Sequence, residues 1–315
     1  MSNIISLSVL PALIACLTYS FWYFPILSKK KWSCHNIFIF YSYLIFIMIS
    51  KTLFPFLLCI FSFLSAQQVN RFIYELRYKE DSASTLYKSE RMCLDVDDLE
   101  YSFRSYDRFI LDSLYHSDSN KEYEEVGNIL YVIKRKAGNS SFVITEVQGA
   151  IRYTYDDSVI PDWSVTSEKK KDDHGNQLQK AVAFFKGRKW NAYFNPEIPI
   201  NTGPYKFYGL PGLIVELYDD KNDYHFKLIG NHKLLRKDID IPSSRYVDKD
   251  LKVSKTKFLQ IIAEYKKDPA RDFKAGVYNG TIKLVDRDPN EIIRGIEEKS
   301  REDQKKYNNP IELAD

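Results

Sequence analysis

Past the apolar first 66 residues, the groups whose chemistry could exceed packing are few: four histidines, one cysteine and many carboxylates. His116, His174, His225 and His232 include no pair at the spacing of a zinc-binding helix. His225 and His232 fall seven apart on a strand, which sends them to opposite faces if the strand is regular. No metal site and no cofactor are therefore expected. Cys93 lies in the alternating run Met92-Cys93-Leu94-Asp95-Val96, and as the single thiol after residue 66 it reads as a small buried hydrophobe. No Gly-x-Ser-x-Gly elbow offers an exposed nucleophile. Carboxylates abound, but a pair suited to glycoside chemistry is defined by its separation in space.

Lys206 and Arg188 flank a block rich in aromatics, and Glu216 is a conceivable partner; a solvated pair is the expected arrangement. Trp190, Tyr193, Tyr205 and Phe207 crowd the same block with Lys206. Core packing accounts for most such rings. On a sheet that does not close, some of them would line a concave apolar face, which makes these five the candidate binding residues. The triplets Asp81-Ser82-Ala83, Asp112-Ser113-Leu114 and Asp157-Ser158-Val159 fit an O-glycosylation pattern, as a side hypothesis.

Within the block, Gly203-Pro204 and Gly209-Leu210-Pro211-Gly212-Leu213-Ile214 place two Gly/Pro corners just before an apolar run. A phosphate cradle would need a strand before the glycines and a helix after them. An Ile- and Val-rich strand follows instead, so the stretch reads as a turn that aims a strand. Pro211 and Gly212 suit the central positions of a type II turn spanning Leu210 to Leu213.

The elements that must position these groups are mainly strands. Phe72, Tyr74, Leu76 and Tyr78 alternate with polar neighbours. Residues 129–136 and 141–147 flank an Ala-Gly-Asn-Ser turn as a hairpin. Segments 163–170, 177–186 and 189–194 follow one another through short turns, and 213–219 with 224–231 makes another hairpin, which requires antiparallel neighbours. Helical spacing is confined mostly to the end: 254–267, capped by Ser254 and stopped by Pro269, and a second candidate within 289–307, capped by Asn290, whose later half is solvated. The expected fold is mainly β, a single curled antiparallel sheet forming an open barrel or bowl, with one or two C-terminal helices.

Residues 1–66 form an apolar leader, and 67–315 a single β-rich domain. Ile4 to Leu27 carries no charge over a length sufficient to cross a bilayer. Two readings stand: a pair of transmembrane helices around the lysine cluster 29–31, or a start at Met48, which makes 48–66 a signal peptide cut near Ala66 and Gln67 and 1–47 an upstream extension. The second is preferred, and both export the domain to the periplasm, the outer membrane or the medium. Membrane contact then runs only through the leader. The net charge of +3, with both signs interspersed, gives no case for a nucleic-acid partner.

The sequence resembles the GLPGLI proteins of Bacteroidetes, whose naming motif residues 209–214 match letter for letter. Tyr78 to Ser84, Met92 to Val96, Gln179 to Asp219 and Asn308 to Leu313 are similar to other parts of the family pattern. Leu178 and Tyr193 stand where that pattern carries a cysteine and a tryptophan, so no thiol or indole role passes to this chain. The resemblance implies an exported β-rich envelope protein of undetermined activity, with the bowl domain of certain glycoamidases as a fold hint. The expected function is a non-enzymatic binding module for an apolar small molecule, an outer-membrane receptor or another envelope protein. The alternative is a secreted hydrolase, or an accessory domain of one, acting through carboxylates.

Overall fold

The computed structural model describes residues 68–118, 127–158, 160–239 and 249–313, all within one compact unit, Gln67–Asp315. The leader, the cleavage site at Ala66 and Gln67, and Val159 lie outside the described residues. One sheet of twelve strands carries the fold. Six strands form a first antiparallel meander: β1 (Gln68–Tyr78), β2 (Lys88–Val96), β3 (Glu100–Ser105), β4 (Val132–Lys136), β5 (Phe142–Gln148) and β6 (Ile151–Asp157). A second contains β7 (Ser164–Lys171), β8 (Gln177–Phe185), β9 (Arg188–Asn195), β10 (Leu213–Asp219) and β11 (Tyr224–Leu235). They join where β1 pairs antiparallel with β11, and β12 (Lys249–Lys252) adds a parallel strand beside β6.

This order forces the sheet to curl. In a flat sheet, ten interstrand steps of about 4.8 Å would put β6 and β7 nearly 50 Å apart. Yet β6 ends at Asp157 and β7 begins at Ser164, and seven Cα steps reach at most about 25 Å. The two ends of the sheet must approach one another, and it remains an open bowl.

Alternation assigns the faces. The inner face carries Tyr74, Leu94, Phe103, Ile133, Ile144 and Phe226, all buried in one core with many neighbours. The outer face of β1 and β2 carries Ile73 and Cys93, covered by Phe109 of α1 (Tyr106–Ser117). Cys93 is fully buried and its thiol is pushed up to about 12, chiefly by desolvation.

Three helices follow the sheet: α2 (Lys255–Lys267), α3 (Arg271–Tyr278) and α4 (Pro289–Lys306). As its sequence predicts, α2 is capped by Ser254, which accepts from the Lys257 N–H at 3.2 Å. It seats Phe258 on Tyr153 and Tyr155 of the inner face. α4 starts earlier than expected: Asp288, not Asn290, is the cap, accepting from the Asn290 N–H, with Pro289 in the first turn. α1 and α3 were not expected.

Candidate functional site

The segment between β9 and β10, which contains the glycine motif, runs into the bowl as a plug. Thr202 and Tyr208 face each other as an antiparallel bridge. The Gly209 N–H donates to Asn201 O at 3.1 Å and the Phe207 N–H to Pro204 O at 3.2 Å, so residues 201–209 form a small hairpin with Tyr205 and Lys206 at its tip. Tyr205 adopts φ +57°, an uncommon conformation for a bulky side chain. Its surroundings hold it there: the ring packs on Tyr131 and the hydroxyl donates to Glu312 at 2.7 Å. Phe207 packs on Trp190 and Phe185. The Tyr101 hydroxyl bonds the carbonyls of Gly203 and Tyr205, and the Tyr74 hydroxyl donates to Ile214 O at 2.6 Å.

The expected type II turn does not form. The Gly212 N–H donates to Leu210 O, closing a tighter turn around Pro211, while the Leu213 N–H donates to Ile198 O. Glycine is needed at 212 for a different reason: a Cβ there would lie 2.2 Å from the Asn195 carbonyl oxygen. Gly203 is similar, since its Cβ would lie 2.6 Å from Cβ of Ile214.

Of the five candidate binding residues, Trp190, Tyr205, Lys206 and Phe207 are buried in the interior. Tyr193 faces the outer side of the sheet, its hydroxyl on Glu168 and its ring under the Lys170 ammonium. Lys206 is not part of a solvated pair. Its ammonium donates to Asp157 at 2.8 Å and to Glu312 at 2.6 Å, and Lys255 adds a second cation 3.3 Å from Asp157. These cations hold the Asp157 carboxyl below its usual range against the opposing effect of burial. Arg188 is buried too and bonds Asp219, Asp223 and Asn309. Glu216, once a conceivable partner for either, lies on the outer face with Lys170 and His225.

A bulge at Ile229 resets the alternation of β11, so His225 opposite Arg77 and His232 opposite Arg71 share one face. Six residues of strand, about 20 Å, still separate them. Asp81 and Ser82 bond Asn308, Ser113 lies on α1, and Asp157 is in the buried cluster, so the three Asp-Ser triplets share no common setting.

Beside the hairpin base, β3 and the β4–β5 turn enclose an open groove of about 400 Å³. Ile160 and Ile200 supply apolar walls, while Thr202, Asn201, Asn139 and Arg135 supply polar groups. The Arg135 guanidinium lies 4.2 Å from the Tyr208 ring centroid and donates from one terminal nitrogen to Asn139 O. Among the described residues its Nε–H has no acceptor, and the hydroxyl of Thr202, itself 2% exposed, has no partner. Two of the three residues with a buried, unpartnered side-chain polar atom among the described residues thus line one groove. The acids beside them are engaged: Asp97 accepts from the Leu99 and Glu100 N–H groups and pairs with Arg236, and Glu100 pairs with Lys134. Sequence periodicity could not find this site, because it depends on which turn meets the hairpin.

A sequence-family model described as "Protein of unknown function (Porph_ging)" matches residues 150–216, which include the hairpin and all of the motif at 209–214. No curated protein matches the chain. Two solved structures of PNGF-II, in space groups P21 and C2, are similar at 10% identity and TM-score 0.42. Each match covers 63% of this chain and about a third of PNGF-II, 34% and 33% respectively.

Proposed function

We propose that the chain is an exported envelope protein of the GLPGLI type, a non-enzymatic binding module whose rim groove holds a peptide segment of another envelope protein. The observation that carries the reading is that two residues lining one open groove, Thr202 and Arg135, each hold a side-chain polar atom without a partner among the described residues, Oγ1 and Nε. A buried polar atom without a partner costs about 1–3 kcal/mol, which a ligand acceptor would recover. Peptide carbonyls supply such acceptors, and an aliphatic side chain beside them would meet Ile160 and Ile200. Export, by a signal peptide from Met48 cut near Ala66 and Gln67, belongs to the same proposal.

The interior supports a carrier of apolar molecules less well, because its aromatics pack against the hairpin and one another. The hydrolase alternative gains nothing from Asp157 and Glu312, which converge on Lys206 but do not line the rim groove.

A photo-crosslinking residue at Asn201, in the full-length protein in its own envelope, tests the reading. One discrete envelope-protein adduct is expected, reduced about tenfold by Thr202→Val with Arg135→Met while the fold persists. An adduct yield no greater than from the same probe at exposed Lys221 would refute it.

A further inference from the structure

We propose that a second pocket, on the outer face of the sheet beneath α1, binds a phosphate group, either as the free anion or as a small phosphate monoester. Strand alternation sends Phe103 into the core and Arg104 outward. α1 begins directly after β3 and folds back, laying Phe109 under the Arg104 guanidinium at 4.3 Å and under that of Arg71 at 4.1 Å. The two arginines then differ. Arg71 forms a two-pronged pair with Asp95 at 2.6 and 2.7 Å. Arg104 spends one terminal nitrogen on Ile239 O at 2.9 Å, its buried Nε has no acceptor, and no carboxylate pairs with it among the described residues.

Arg104 opens on a pocket of about 230 Å³, several times the roughly 30 Å³ that one water occupies in the liquid. Among the described residues, Arg108, Lys134, Arg152 and Arg236 line it as well, with the acids Asp95, Glu100 and Asp112. Of these acids, Asp95 belongs to Arg71, Asp112 to Arg108 at 3.6 Å and Glu100 to Lys134 at 3.3 Å. Arg152 and Arg236 pair with Asp250 and Asp97, so among the described residues that line the pocket Arg104 is the cation that lacks an anionic partner. Burial holds the Arg104 pKa below the usual guanidinium range, as expected for a charge that its neighbours do not fully compensate. Guanidinium donors in a fixed fork match the oxygens of phosphate better than a point charge would.

This pocket is separate from the rim groove and does not depend on the reading given there. The test is calorimetric titration of the full-length chain, in nonionic detergent at low salt, with inorganic phosphate and with glycerol 3-phosphate. Saturable one-to-one binding is expected, weakened about tenfold or more by Arg104→Met and a few-fold by Arg152→Gln at the rim, with Thr202→Val binding as wild type. Glycerol 3-phosphate binding at least tenfold tighter than phosphate would identify a monoester; equal affinities would identify the free anion. Should Arg104→Met fail to fold, Arg104→Lys and Arg152→Gln carry the test. Absence of saturable heat with both probes in the wild type, or binding indifferent to every folded arginine variant, overturns the proposal.

Discussion

At Gly212 the backbone of β9 occupies the space a side chain would take, with the Asn195 carbonyl oxygen 2.2 Å from a built Cβ. Gly212→Ala should therefore cost more than about 2 kcal/mol. Gly209→Ala, at φ +98° with nothing within 4 Å, should cost about 1 kcal/mol, from backbone conformation alone. Urea denaturation of the two variants separates close approach from turn chemistry, and equal losses would mean that the proximity carries no energy. The sequence marked these glycines as structural, but it suggested the wrong turn, since no local pattern reveals that Asn195 lies against Gly212. Arg188 shows the same limit. Its charge beside an aromatic block suggested a solvated pair, whereas it is buried between Asp219 and Asp223. Arg188→Met would strand the buried Asp219 carboxylate and leave Asp223 with Lys79 alone, and should destabilise by about 3–5 kcal/mol; a loss below about 1 kcal/mol in the same assay would contradict that role.

Elements with a local signature were readable in advance. The hairpin of β4 and β5, the strands β7 to β11 and the capped helix α2 all lie within a few residues of where alternation and capping put them. α1 was missed because its inward face carries the i,i+4 pair Arg108 and Asp112, which erases the apolar stripe by which helices are recognised. The C-terminal segment after α4 has no periodicity, yet it straps the bowl. Arg188 donates to Asn309 Oδ1 and Pro310 O, the Tyr224 hydroxyl donates to Asn309 O, and the Leu313 N–H donates to Lys186 O. A chain ending at Tyr307 should lose about 3 kcal/mol or more, roughly 6–12 °C in Tm, visible by calorimetry; an unchanged Tm would show the strap to be dispensable. On the outer face, Glu216 joins β10 to β7 and β11. The His225 hydrogen bond, and then the Lys170 ammonium, hold its carboxyl at about 2. A carboxyl with a depressed folded-state pKa stabilises above its ordinary value, near 4.3, and loses that contribution as pH falls toward 2. Glu216→Gln should thus lower Tm by a few degrees at pH 6, with the gap narrowing to a small part of that by pH 2.5. A gap that stays constant across this range would assign the loss to packing.

For the molecule as a whole, the mainly β class was legible because antiparallel meanders follow from short turns, but strand order was not. The pairing of β1 with β11 joins residues more than a hundred positions apart, and alternation is equally compatible with other partners. The same holds for both grooves, which appear only where distant turns and strands meet. Because the sheet curls without closing, it keeps two edges, β12 and β7. Exposed backbone on such an edge recruits further strands unless charge opposes it. β7 carries Lys169 and Lys171, both exposed, beside the exposed apolar side chains Val165 and Phe184. β12 likewise carries Lys249 and Lys252. By that rule these lysines should oppose addition of a second copy along the rim, and the apolar residues next to them should favour it once the charges are removed. Replacing Lys169 and Lys171 together by Thr, a good strand former, should leave thermal stability within about 0.5 kcal/mol of wild type, as for surface changes generally. Concentration-dependent association should rise, read as added mass in light scattering and suppressed by restoring either lysine. If the double variant scatters as the parent does at every concentration, the lysines do not guard the edge.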